Sequence, residues 1–201
     1  ELEHHSNYVP WHYLRKSKNI KINFAEINEN GVVHNEIEYP LDVLIYATGF
    51  QWMATSTFNM ITGKNGKTLQ QKWENEGTKT FLGLHSNGFP NLFIISGPQG
   101  GGGQFNFTRI IESHSDYVVW MLKTLKEKGA TQVDVETSAE NDYAEHCKEA
   151  DINTRPLRDC ISYYNGHGEG QPGSLAYYGG AQKWHEQREM AQRTLKPYIF
   201  D

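Results

Sequence analysis

The run SGPQGGGGQFNFTRIIESH, residues 96–114, holds the residue types best suited to chemistry. A flexible stretch, Gly100-Gly101-Gly102-Gly103, passes through Gln104 and Phe105 into a pattern that predicts a helix from about Asn106 to Lys128. A helix start exposes unpaired backbone N–H groups and the positive end of a dipole equivalent to about half a charge. Such an end stabilises an anion or an electron-rich carbonyl. The competing reading is a surface loop with an ordinary cap, because the glycines match neither Gly-x-Gly-x-x-Gly nor the Walker pattern in context. Asn106-Phe107-Thr108 spells a glycosylation sequon, yet at a helix start it reads as a cap.

A second suggestive stretch is LDVLIYATGF, residues 41–50. Its apolar run predicts a strand over 41–46 of the kind buried on both faces in a parallel sheet. The small turn after it, with Thr48 and Gly49, lets backbone and ligand approach closely. Tyr163-Tyr164 and Tyr177-Tyr178 suit either a pocket wall or core packing. The nine histidines do not have the spacing of metal ligands, and no metal site is expected. No Gly-x-Ser-x-Gly elbow and no cysteine nucleophile context is present, so no catalytic residue is assigned.

The elements that must position these groups follow from periodicity and turn chemistry. Residues 20–37 predict short strands around Glu29-Asn30-Gly31. The stretch LQQKWENEG predicts a short helix, and residues 91–96, NLFIIS, a second buried strand. In the long helix Ile110, Ile111, Tyr117, Val118, Met121, Leu122 and Leu125 recur at three and four, with Gly129 as the stop. Thr137-Ser138-Ala139-Glu140 has capping-box spacing for a helix to about Ala150, and a polar helix is expected over 182–193.

Composition limits the partners. The 201 residues carry a net charge of −5, which argues against nucleic acid or an anionic membrane as the main partner. No apolar stretch approaches the roughly 20 residues that span a bilayer. Two cysteines without a Cys-x-x-Cys pattern read as free thiols, and a cytoplasmic location is expected. Residue 1 is Glu rather than Met, so the natural start is expected elsewhere. The order of elements predicts an α/β fold, the back half of a domain, with residues 1–201 as a single unit and no complete nucleotide-binding domain.

Taken in order, these stretches resemble the carboxyl-terminal portion of the flavin-dependent Baeyer–Villiger monooxygenases, within the flavin-containing monooxygenase superfamily. Asp42 and Ala47 to Phe50 match its Ala-Thr-Gly-Phe strand, followed by Gly63-Lys64-Asn65-Gly66 to Trp73 and by Thr80-Phe81-Leu82-Gly83. Gly88 to Phe93, Gly97-Pro98, Asn106, Glu112, His114, Glu145-His146 and Tyr178-Gly179-Gly180 fall in the same register.

The resemblance implies the carboxyl-terminal part of a Rossmann-like FAD-binding domain, with buried strands, a long helix and a helical and loop extension. It implies a reaction in which NADPH reduces bound FAD and one oxygen atom is inserted beside a ketone carbonyl, giving an ester or lactone. By resemblance, Thr48, Gly49, Gly97, Pro98, Asn106 and Phe107 lie against the cofactor. Gly100, Gly101, Gly102, Gly103, Gln104, Phe105, Tyr163 and Tyr164 then line the substrate pocket. Both nucleotide glycine loops of the family are absent from these 201 residues, so a missing amino-terminal polypeptide or a second copy is the expected partner. Where the family has a Ser-Trp-Tyr/Phe-x-Gly-x-Asn loop for NADPH, residues 162–168 read SYYNGHG. An alternative is a flavin-independent remnant, binding no cofactor, that acts as an isomerase or cyclase on a polycyclic or polyketide-like molecule. A further one is a non-catalytic binding subunit.

Overall fold

The structure, a computed structural model, describes residues 26–27, 31–41, 56–101, 106–154 and 175–201. The chain divides into two compact units, residues 1–51 and 52–201.

In the first unit, β1 (Glu26–Ile27), β2 (Gly31–His34) and β3 (Ile37–Pro40) form an antiparallel sheet in the order β1-β2-β3. The strands around Glu29-Asn30-Gly31 are therefore present as expected, with Ile27 opposite Val32. A second hairpin, which periodicity did not suggest, follows at once. Asn35 and Glu36 form its two-residue turn with φ of 51° and 64°, the left-handed pair that matches strand twist. Leu41 follows β3 half-exposed, and the rest of the expected strand over 41–46 lies outside the described residues.

The second unit holds α1 (Ser56–Met60), α2 (Leu69–Glu76), α3 (Phe107–Lys128), β4 (Val133–Val135), α4 (Thr137–Thr154), α5 (Ala181–Thr194) and β5 (Tyr198–Phe200). Its ends obey local rules. Thr68 and Gln71 cap α2 reciprocally, each side chain accepting from the other's backbone N–H. Asn106 caps α3, and Gly129 ends it at φ 67° with its N–H donating to the carbonyls of Leu125 and Lys126. β4 and β5 pair antiparallel, Val133 opposite Phe200 and Val135 opposite Tyr198.

Two expectations fail here. Residues 91–96 are not a buried strand: left-handed backbone at Asn91 (φ 60°) and Ser96 (φ 56°) bounds them. Their main chain is tied singly, Asn91 N–H to the Val133 carbonyl and Ile94 N–H to the Leu84 carbonyl, rather than as a ladder. Ile95 is left 42% exposed. Glu140, in turn, does not close a capping box. It is buried, and its carboxylate grips the Lys72 ammonium with both oxygens at 2.8 Å. The same carboxylate accepts from Ser86 Oγ and Asn87 N–H, while Lys72 also donates to Ser86 Oγ and the Asn87 carbonyl. This pair ties α2, residues 86–87 and α4 together.

The main core gathers Phe81, Leu82 and Leu84 with Tyr117, Met121 and Leu125 of α3, Val133 and Val135, Tyr143, Cys147, Tyr177, Trp184 and Tyr198. Helices and strands thus share one core, an α/β arrangement in the broad sense. Every strand pair among the described residues is antiparallel. Cys147 is buried in this core, and Cys160 lies outside the described residues. Among the described residues no helix is long and apolar enough to cross a membrane.

Candidate functional site

The candidate site is the loop of residues 96–101 together with the start of α3. The loop is pinned at both ends and in the middle. At its entry the Ser96 N–H donates to His114 Nδ1 at 3.0 Å. In the middle sits Gln99, fully buried with φ 63°. Its Oε1 accepts from Thr80 N–H at 2.9 Å and Thr80 Oγ at 3.0 Å, and its Nε2 donates to the Thr78 carbonyl. Gln99 also uses its main chain: its N–H donates to the Leu175 carbonyl, and its carbonyl accepts from Tyr143 Oη at 2.8 Å. At the exit the Gly101 carbonyl accepts from Tyr177 N–H.

Glycine is required at two of these positions. Gly83, at φ 71°, lies so close to Gly100 that a Cβ there would strike the Gly100 backbone. A Cβ on Gly100 would come within 2.8 Å of His114 Cε1. The two glycines let one turn stack on the next, and residues 97–101 are thereby held rather than free.

The α3 start completes the site. Asn106 Oδ1 accepts from Arg109 N–H at 3.2 Å and from Thr108 Oγ. The N–H groups of Phe107 and Thr108 keep no partner among the described residues, and the Phe107 ring is 65% exposed beside them. Unspent donors next to an exposed apolar ring suit a flat ligand with an electron-rich edge. That is the observation on which an FAD ring fits here.

Behind the loop, α3 buries a polar row. His114 packs against Trp184, with ring centroids 5.2 Å apart. Burial pushes its pKa down to about 4; the Gly100 backbone works the other way and Arg188 adds a smaller depression. Deeper, Tyr117 Oη donates to Tyr198 Oη at 2.8 Å and lies 2.8 Å from His85 Nε2. With its hydrogen spent, Tyr117 accepts from His85, whose burial lowers its pKa to about 3. Burial raises Tyr117 and Tyr198 above the ordinary phenol value. These groups are neutral core members.

Of the residues assigned from sequence, Gly97, Pro98, Gly100, Gly101, Asn106 and Phe107 are gathered into this loop and helix start. Thr48, Gly49, Gly102, Gly103, Gln104, Phe105, Tyr163 and Tyr164 lie outside the described residues. Tyr177 and Tyr178 are buried core. Gln99 and Tyr143 were not singled out from sequence, and Thr80 entered only as part of the Thr80-Phe81-Leu82-Gly83 block. A glutamine directly after Gly-Pro is the one signal that marked a side chain confined to a turn.

A Baeyer–Villiger monooxygenase of Streptomyces coelicolor is 33% identical over 165 residues, 80% of this chain and 27% of that protein. The Baeyer–Villiger monooxygenase peniC of Penicillium patulum is 33% identical over 183 residues, 85% of this chain and 30% of that protein. This chain is a Baeyer–Villiger monooxygenase relative. The solved structure of OTEMO in complex with FAD and NADP covers 88% of the chain with a TM-score of 0.70 and 25% identity, and the chain spans 34% of it. No family model matches. The chain thus spans about 30% of the length of the curated Baeyer–Villiger relatives it matches.

Proposed function

We propose that this chain is the carboxyl-terminal, FAD- and substrate-side part of a Baeyer–Villiger monooxygenase, converting a ketone to an ester or lactone with FAD and NADPH. In this reading residues 1–201 serve as one segment of a Rossmann-like FAD domain completed by further polypeptide. The observation that carries it is the pinned loop of residues 96–101 leading into the unspent donors of α3, in a chain similar to FAD- and NADP-bound proteins over 88% of its length.

Bound FAD, reduced by NADPH, supplies the oxygen-transfer chemistry. The residues of this chain bind and orient. Gly97 and Pro98 would lie against the flavin, and the N–H groups of Phe107 and Thr108 would favour negative charge on it. Gly100 and Gly101, with Gly102 to Phe105 and Tyr163-Tyr164, border a small-molecule ketone. Rigid support matters because a ring displaced by 1 Å costs on the order of 100-fold in rate. The location is cytoplasmic in this reading. The flavin-independent isomerase or cyclase reading finds no support among the relatives.

The test uses the protein as encoded, purified and saturated with FAD. The expected result is a flavin absorption spectrum, NADPH consumption that rises on adding a cyclic ketone, and one atom from labelled dioxygen in the lactone. A protein that takes up no flavin, or turns over ketone without oxygen incorporation, refutes the proposal.

A further inference from the structure

Among the described residues, His114 is the fully buried histidine whose ring meets the candidate loop. It falls on the buried face of α3 with Ile110, Tyr117 and Met121, eighteen residues after Ser96. Its Nδ1 accepts the Ser96 N–H at 3.0 Å. An accepting nitrogen carries no proton, so the neutral ring holds its hydrogen on Nε2. A doubly protonated ring would set N–H against N–H at Ser96. Nε2 is buried and meets no partner at full hydrogen-bond geometry among the described residues. Trp184 backs the ring, and the indole is itself fixed by Nε1–H donating to the Leu82 carbonyl at 3.1 Å.

Ser96 is the hinge of the site. It has φ 56°, a conformation that a non-glycine residue adopts only when its surroundings impose it. Everything after it, Gly97 to Gly101, inherits its direction from that turn. The other restraints on the loop act further along: Thr80 Oγ donates to the Pro98 carbonyl, and Gln99 and Gly101 are held as described above. The His114 acceptor is the side-chain contact that fixes where the loop begins.

We propose that His114 is a positioning residue: as the neutral Nε2–H tautomer it holds the Ser96 N–H, and so sets residues 97–101 against the flavin. The assignment rests on the flavin reading above. It does not place His114 in contact with reacting atoms.

The test compares three substitutions in the intact protein. In His114→Asn the side-chain oxygen can take the place of Nδ1, in His114→Gln it extends towards Nε2, and His114→Phe keeps the volume with neither acceptor. The expected result is that Ser96 amide exchange and the FAD dissociation constant both rise about tenfold in the Phe and Gln variants, the worth of one neutral hydrogen bond. The Asn variant returns both to within about threefold. Nitrogen NMR of the wild type serves if the variants do not fold: it should report an unprotonated Nδ1 and a protonated Nε2. A protonated Nδ1 at neutral pH, or Asn and Phe variants that behave alike, overturns the proposal. A Phe variant with faster Ser96 exchange but unchanged FAD affinity overturns the positioning role. Wild-type protein that takes no FAD refutes instead the flavin reading itself.

Discussion

The Lys72–Glu140 pair is where a single atom change should cost most. Both side chains are buried, and four hydrogen bonds from two segments, α2 and residues 86–87, converge on the carboxylate. Glu140→Gln preserves shape but replaces one accepting oxygen with a donor facing the Lys72 ammonium, which stays out of water without its counter-charge. Breaking a buried pair in this way costs about 3–5 kcal/mol. Against a total stability of roughly 5–15 kcal/mol, that is about a fifth or more. The mirror change, Lys72→Met, strands the carboxylate and should cost about as much. The double variant removes both charges and leaves a glutamine able to accept from Asn87 N–H, so it should lose only about 1–3 kcal/mol. The assay is urea unfolding of all four proteins, followed by circular dichroism and by fluorescence, with the midpoint expected to move and the slope to hold. If Glu140→Gln lies within about 1 kcal/mol of wild type, or the double variant loses the sum of the singles, the pair does not hold these segments as argued.

Three further outcomes are expected. His85 and His114 are neutral when folded, with pKa values lowered to about 3 and about 4, and each takes a proton on unfolding below about 6.5. Their stabilisation is full above that value and is lost as pH falls, about 1.4 kcal/mol per unit for each, so unfolding free energy should drop by roughly 2–3 kcal/mol from pH 7.5 to 5.5. His85→Gln should halve that drop in the urea midpoint series. Gly83→Ala forces a side chain into left-handed backbone and onto Gly100; it should cost about 2–4 kcal/mol in a thermal melt and make residues 97–101 newly sensitive to protease. Asn106→Ala should cost about 1 kcal/mol of stability, and Asn106→Asp should restore it, because a carboxylate caps equally and faces the positive end of α3.

What sequence revealed, and what it hid, divides by range of interaction. α3 was legible to within a residue because its stripe, its Asn106 cap and its Gly129 stop are all local. The same stripe was read too widely: Ile110, Tyr117, Met121 and Leu125 are core, whereas Leu122 is 54% exposed. Residues 91–96 have strand composition, but the turns at Asn91 and Ser96 depend on tertiary bonds to Val133 and His114 that no local pattern announces. Glu140 carried a capping signal that a lysine 68 residues away outbid. Of the site, the glycine loop and helix start were visible as a motif. Gln99, which locks the loop through Thr78, Thr80, Leu175 and Tyr143, was not, since its partners lie in three separate stretches.

β5 has one more implication. Tyr198–Phe200 pairs with β4, and Tyr198 completes the buried hydroxyl chain to Tyr117 and His85. The Asp201 carbonyl accepts from the N–H groups of Thr131 and Gln132. A nascent chain still lacking these four positions has a core open on one side, so residues 52–201 reach their native packing only once translation has passed Asp201. Ribosome pausing upstream of that point would hold an aromatic cluster in water, where chaperones rather than the fold itself must guard it.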